Sequence, residues 1–298
     1  MSRPRYNLLA DRRAVLSLLA AAALLTSGEA AHAQWSLGPP GARQASQGLN
    51  HYLYLVRTNP LPGFEQAFND AYQNRHMGDL VQLDGWVGAQ RFRLATDGQP
   101  RSVLPGARYG YLIVWDQEGP SPPIVPTGGK NRRIPGYDFS PGGTWQATYQ
   151  TVGPKIRRPD GRGAFMPAAS DADTPRPNRY VVLEFDDPQP GQADAAFEAA
   201  LDRRILQILS LPGWMAAQRL RLAPTPQPKG RPERAAPVAA RYLTVWETEG
   251  ASAAQAQQAL LDAVKGGKVD ALPNNPATSE AAFWEPISPY VTKSDIER

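Results

Sequence analysis

Short segments in which side chains alternate between two faces recur along the chain, divided by Pro/Gly-rich stretches and by stretches of helical periodicity. His51–Arg57 (HYLYLVR) sets Leu53 and Leu55 on one face and Tyr52, Tyr54 and Val56 on the other, which predicts a strand. After a turn at Asn59–Gly63, Phe64, Phe68, Tyr72, His76 and Leu80 recur every four residues, with Ala67 and Ala71 beside them. This predicts a helix with one apolar stripe that ends at Gly78 and Asp84-Gly85. His76 lies on that stripe and is expected to point inward. Strands follow at Gly85–Leu94, within Arg108–Asp116 and at Trp145–Val152. Between the last two, Gln117–Gly143 is too crowded with Pro and Gly for a regular helix.

The pattern then repeats. GWVGAQRFRL at Gly85–Leu94 returns as GWMAAQRLRL at Gly213–Leu222, an offset of 128 residues. HYLYLVR matches RYVVLEF (Arg179–Phe185) at the same offset, and YLIVWDQEG (Tyr111–Gly119) matches YLTVWETEG (Tyr242–Gly250) at 131. An offset of this size is one small domain, so the chain reads as a tandem duplication. The second unit also predicts a helix at Ala193–Leu209, an alanine-rich helix at Ala253–Val264 and a strand at Phe283–Val291. It therefore keeps the helix that the first unit replaces with a loop. The expected division is 1–33 leader, 34–50 lead-in, 51–153 first unit, 154–178 linker, 179–292 second unit and 293–298 tail. Each unit reads as a ferredoxin-like β-α-β-β-α-β repeat, an α+β fold.

Residues 1–33 change the cellular picture. Arg3, Arg5, Arg12 and Arg13 precede an apolar run at Ala14–Leu25 and a small-residue site at Ala31-His32-Ala33, which predicts a secretory signal cleaved after Ala33. The run is short for a membrane span. Arg12-Arg13 also suits twin-arginine export, so both export routes stay open. Either delivers the protein to the periplasm or beyond, with no membrane attachment after cleavage. The remaining 28 basic and 26 acidic residues form no basic stripe, which argues against nucleic acid. The chain has no cysteine, which excludes disulfides, thiolate catalysis, iron–sulfur clusters and cysteine zinc sites. No clustered Asp, Glu and His stand at metal-ligand spacing, so no metal is expected.

Alternation also divides each predicted sheet into two faces. One is aliphatic, with Leu53, Leu55, Leu112 and Val114, and is expected under the helix. The other carries Tyr52, Tyr54, Trp86, Gln90, Tyr111 and Trp115, matched in the second unit by Tyr180, Glu184, Trp214, Gln218 and Trp246. Two such sheets bury these aromatic faces against each other, which predicts a barrel with an aromatic interior. That interior is either a small-molecule pocket or simply a packed aromatic core. Asp116/Glu118 and Glu247/Glu249 read as solvated strand ends. Arg91/Arg93 and Arg219/Arg221 read as covering the helix-side edge and pairing with those acids. His51 is expected to be exposed.

The repeat, the helix followed by an Asp-Gly turn (NRHMGDLVQLDGW), the AQRFRL strand and the YLIVWD strand resemble the dimeric α/β-barrel superfamily, particularly its EthD-like members. The resemblance implies two units packed sheet to sheet, here as a pseudodimer within one chain or in a homodimer. It places the family's helix-end histidine on His76 and its acidic position on Asp79. The counterpart of His76 in the second unit is Arg204, which suggests one working half. Members of that superfamily include cofactor-free monooxygenases, cyclases, isomerases and haem enzymes.

Three functions remain open. One is a cofactor-free enzyme acting on a small aromatic or hydrophobic molecule. His76 would be its general acid or base, Tyr54 and Gln90 would orient the substrate, and Trp86, Tyr111, Trp115, Tyr52 and Glu184 would line the pocket. The second is a periplasmic binding protein without chemistry, and the third a haem protein.

Overall fold

The computed structural model describes residues 49–97, 109–123, 134–138, 140, 142–158, 178–224, 239–250 and 252–296. The leader, nearly all of the lead-in, most of the linker and the middles of the loops 117–143 and 223–237 lie outside the described residues. The strands are β1 (Asn50–Thr58), β2 (Trp86–Leu94), β3 (Tyr111–Gly119), β4 (Thr144–Arg157), β5 (Asn178–Asp186), β6 (Trp214–Leu222), β7 (Tyr242–Gly250), β8 (Glu280–Pro286) and β9 (Val291–Thr292). The first helical stretch is α1 (Glu65–Ala71), a π-turn (Tyr72–His76) and α2 (Met77–Val81). The others are α3 (Asp194–Leu209), α4 (Ala253–Lys265) and the terminal turn α5 (Lys293–Ile296).

Eight strands close into an antiparallel barrel in the order β3-β1-β4-β6-β7-β5-β8-β2, with β2 pairing back to β3 and β9 added to β2. Each half has the same internal order, β4-β1-β3-β2 and β8-β5-β7-β6. The halves join where β4 meets β6 and β8 meets β2. The repeated motif begins with glycine because Gly85 and Gly213 turn into β2 and β6 at φ 78° and 82°. A Cβ there would also stand 2.8 Å from the carbonyl of Glu118 and 2.6 Å from that of Glu249.

The two faces are the reverse of the expectation. Leu53, Leu55, Leu112 and Val114 meet Val181, Leu183, Leu243 and Val245 inside the barrel. Tyr54, Trp86, Tyr111 and Trp115 lie outside it, under α1 and α2, and Tyr180, Trp214, Tyr242 and Trp246 lie under α3 and α4. The aromatic interior pocket therefore does not form. An eight-stranded barrel is just wide enough for its inward side chains to fill it. The aliphatic rows fill that space together with Phe92, Trp145, Tyr149, Phe185 and Trp284, so its rings come from other positions than the ones expected there. A register shift between Trp86 and Gly88, repeated between Trp214 and Ala216, adds a second change. It sends Trp86 to the helix side while Phe92 packs in the barrel, where Gln90, two residues before it on the strand, shares its side.

Gln90 and Gln218 hold the barrel closed instead of touching a ligand site. Gln90 Nε2 donates to Ser288 O at 2.8 Å, and Gln218 Nε2 donates to Gly153 O at 3.1 Å. Two residues after each acceptor, Tyr290 donates to Asp116 Oδ2 at 2.6 Å and Lys155 Nζ bonds Glu247 Oε1. Ser288 and Gly153, and likewise Tyr290 and Lys155, are 135 residues apart. The crossing segment of each half thus bonds the other half reciprocally, as across a two-fold axis.

Asp116 and Glu247 are consequently buried rather than solvated strand ends. The arginines do not pair with them. Arg93 bonds Glu285 at 2.8 Å, Arg219 bonds Asp202 at 2.5 Å and Arg221 bonds Asp194 at 3.3 Å. His51 is buried too, with Nε2 3.2 Å from Asp116 Oδ1. Burial opposes its charge, but the bond to Asp116 and the charges of Asp116 and Glu118 outweigh both burial and Lys155, so its pKa is raised. A raised histidine stabilises the fold fully below its unfolded value near 6.5 and loses that contribution as pH climbs through the folded value. Thermal midpoints are therefore expected to fall above about pH 6.5. His51→Gln should flatten that slope, as differential scanning fluorimetry from pH 5 to 9 would show.

Candidate functional site

The first helical stretch explains where His76 sits. Met77 N–H bonds Tyr72 O, five residues back, which widens the helix by one residue across Tyr72–His76. Phe68 is buried before the π-turn, Tyr72 at its first position, and Met77 and Val81 after it. His76 therefore leaves the centre of the stripe and stands half-buried at its edge. Its ring meets Tyr72 edge-on at 5.0 Å and Trp115 edge-on at 5.8 Å. Trp115 in turn meets Trp86 at 5.3 Å, and Trp86 meets Tyr54 at 6.0 Å. Tyr137, from the loop before β4, stacks on Tyr72 at 6.5 Å.

The electrostatics of this cluster are set by burial. Desolvation pulls His76 down to about 4 against the opposing charge of Asp79, so its imidazole is neutral at physiological pH and offers an acceptor nitrogen. Burial holds the Tyr54 and Tyr72 phenols well above the ordinary tyrosine value, so both are protonated there. Tyr54 is thus a donor and not a base. Asp79 is exposed, acts on His76 only through its charge and lies outside the cluster.

Other expected residues are divided by the structure. Tyr52 shares the helix-side face of β1 with Tyr54, and its register partner on β3 is Gln117, whose partner on β2 is Trp86. Tyr111 lies in the same layer, but its hydroxyl donates to Glu65 and accepts from Asn69 Nδ2 at 3.3 Å. Arg91 stands beside it, its guanidinium 5.0 Å from the Tyr72 ring and bonded to Asn69. Glu184 does not join the first-half cluster. In the second half it accepts from Arg204 Nη1 at 2.9 and 3.1 Å and from Trp246 Nε1 at 2.9 Å. Arg204, the counterpart of His76, is thereby tied down on a regular helix with no π-turn. Sequence patterns alone did not point to the π-turn, Tyr137 or Gln117. The one available signal was the mismatch of Gln117 with Thr248 between otherwise similar strands.

An open groove of about 860 Å³ borders this cluster, lined by Leu49, Gly85, Trp86, Glu118, Gly119, Pro123, Thr292 and Lys293 among others. It reaches Trp86 but not His76, and Trp115 is the ring that touches both residues. The corresponding site in the second half is smaller, about 450 Å³, and is covered by Gln255, Ala256 and Ala259 of α4. Among the described residues no helix takes that place in the first half. The terminal strap β9–α5 covers part of it, with Ile296 packed on Gly78. Among the described residues, no three or more His, Cys, Asp or Glu side chains are grouped to hold a metal ion.

No family profile matches the chain, and no curated protein matches it. Solved structures that resemble it include an anthrone oxidase-like protein, with a TM-score of 0.46 and 13% identity over 82% of this chain and 93% of that one. A candidate monooxygenase of Fusobacterium nucleatum has a TM-score of 0.42 and 9% identity over 82% and 95%. Another, from Lactobacillus acidophilus, has a TM-score of 0.38 and 8% identity over 82% and 97%. Similarity this low does not bear on what the site does.

Proposed function

We propose that the protein is an exported small-molecule barrel whose working site is the aromatic layer of the first half, between the π-turn and the sheet. In this reading it is a cofactor-independent enzyme that takes an aromatic or hydrophobic substrate, with His76 accepting a proton from it. The carrying observation is the contrast between halves. A π-turn, a neutral histidine and an open groove in one half stand against a regular helix, a locked Arg204–Glu184 pair and a covering α4 in the other. Buried aromatic rings, a few polar groups and a titratable residue with a displaced pKa are what a substrate site requires.

The matching strand orders support reading the two halves as tandem ferredoxin-like repeats, with the barrel as an internal pseudodimer. Export rests on the leader sequence. A haem is not part of this reading. The test is a turnover and binding screen of aromatic compounds with wild type and His76→Gln. Lost turnover with retained binding supports the enzyme. Binding without turnover in either form favours a carrier protein, and equal turnover in both overturns the role of His76.

A further inference from the structure

Gln117 is fully buried, and neither its amide oxygen nor its amide nitrogen has a hydrogen-bond partner among the described residues. An amide taken out of water without partners carries a desolvation penalty that no hydrogen bond from the described residues offsets. Its place is not random. Gln117 is in register with Tyr52 on one side and Trp86 on the other, and the next row on that face is Tyr54, Trp115 and Ala89. The amide therefore sits among the rings of the aromatic layer. The groove is lined by Trp86, Glu118 and Gly119, the register partner of Gln117 and the two residues that follow it on the strand.

The second half differs in degree: its counterpart is also buried and carries one unpartnered atom, Thr248 Oγ1, but has no amide that can both donate and accept. Thr248 takes the place of Gln117, and Trp214, the counterpart of Trp86, is fixed by its Nε1 bond to Ala256 O of α4 at 3.3 Å. Trp86 instead packs edge-on against Trp115 at 5.3 Å and Tyr54 at 6.0 Å.

We propose that Gln117 is the polar anchor of the ligand site and selects molecules that carry a carboxamide or lactam edge on an aromatic ring. Nε2 donates to the ligand carbonyl while Oε1 accepts from the ligand N–H, which satisfies both orphan atoms at once. The ring lies against Trp86 and Trp115. This rests on the reading that the first half binds aromatic molecules.

The test titrates the full chain with naphthalene-2-carboxamide and with naphthalene, followed by calorimetry and tryptophan fluorescence. Wild type is expected to bind the carboxamide about tenfold tighter or more, the value of one satisfied buried pair. Gln117→Leu should bind naphthalene at least as well, lose that preference, and melt at or above the wild-type temperature. Gln117→Thr, the residue of the second half, is a smaller change that should lose the preference as well. Equal binding of the two probes by wild type, or a preference retained in either variant, overturns the anchor. If neither probe binds wild type, the aromatic-site reading fails and the anchor with it.

Discussion

Lys155→Met is expected to destabilise the protein by about 3–5 kcal/mol, well beyond the effect of breaking any of its surface ion pairs. Lys155 Nζ bonds Glu247 Oε1, and both side chains are only 1% exposed. Burial lowers the Lys155 pKa and raises that of Glu247, while each partner's charge acts in the opposite sense. Removing the lysine strands a carboxylate in the barrel end, where the second oxygen of Glu247 already lacks a partner. The cost is that of a buried charge deprived of its bonded partner, a loss that the charges of Arg157 and Arg179 offset only in part. Lys155→Met combined with Glu247→Leu should therefore recover to within about 1 kcal/mol of wild type or exceed it. Urea unfolding of the two singles and the double measures the difference. A single mutant within about 0.5 kcal/mol of wild type would show that the pair is solvated.

The second large effect concerns chemistry. His76→Gln is expected to lower turnover by about 10²–10⁴-fold, the usual contribution of a positioned general base. Because burial holds His76 down to about 4, the rate should be flat from about pH 5 to 8 as far as this residue is concerned, and should fall below that as the imidazole is protonated. Stability should move little in the variant, since a half-buried neutral ring is replaced by a neutral amide. Arg204→Gln makes the contrast. It leaves Glu184 beside Trp246 without its cation, so it should cost stability and leave turnover unchanged. A rate falling equally in both variants would move the site away from His76.

Much of the fold was readable because strand alternation and the return of matching segments 128–131 residues later reinforce each other. The matched segments at 51–57, 85–94 and 111–119 all lie on strands at their counterparts' places. Which face of each sheet points inward was not readable. Both faces are apolar, and alternation separates faces without saying which one meets the other sheet. The register shift after Trp86 was hidden as well, since GWVGAQ reads as unbroken alternation.

The π-turn escaped for a related reason. A stripe at every fourth residue looks like an ordinary helix, yet Tyr72 and Met77, five apart, are the buried pair that spans it. The charged barrel end escaped because Asp116 and Glu247 stand before turn-like sequences, and nothing local shows that Tyr290 and Lys155 arrive from the other half. Of the expected residues, His76, Trp86, Trp115 and Tyr54 share one layer on the outside of the barrel, whereas alternation had set the helix against the aliphatic face. Gln90 and Glu184 were drawn elsewhere by long-range bonds to Ser288 and Arg204.

The measurement that bears most directly on the first-half site is the position of a bound aromatic ligand. Crystals of the full chain soaked with 6-bromo-2-naphthol would reveal the bromine by its anomalous signal. The expected result is one peak in van der Waals contact with Trp86 or Trp115, on the His76 side of the sheet. A peak beside Trp246 and Arg204, a peak inside the barrel, or no peak at saturating ligand would contradict it.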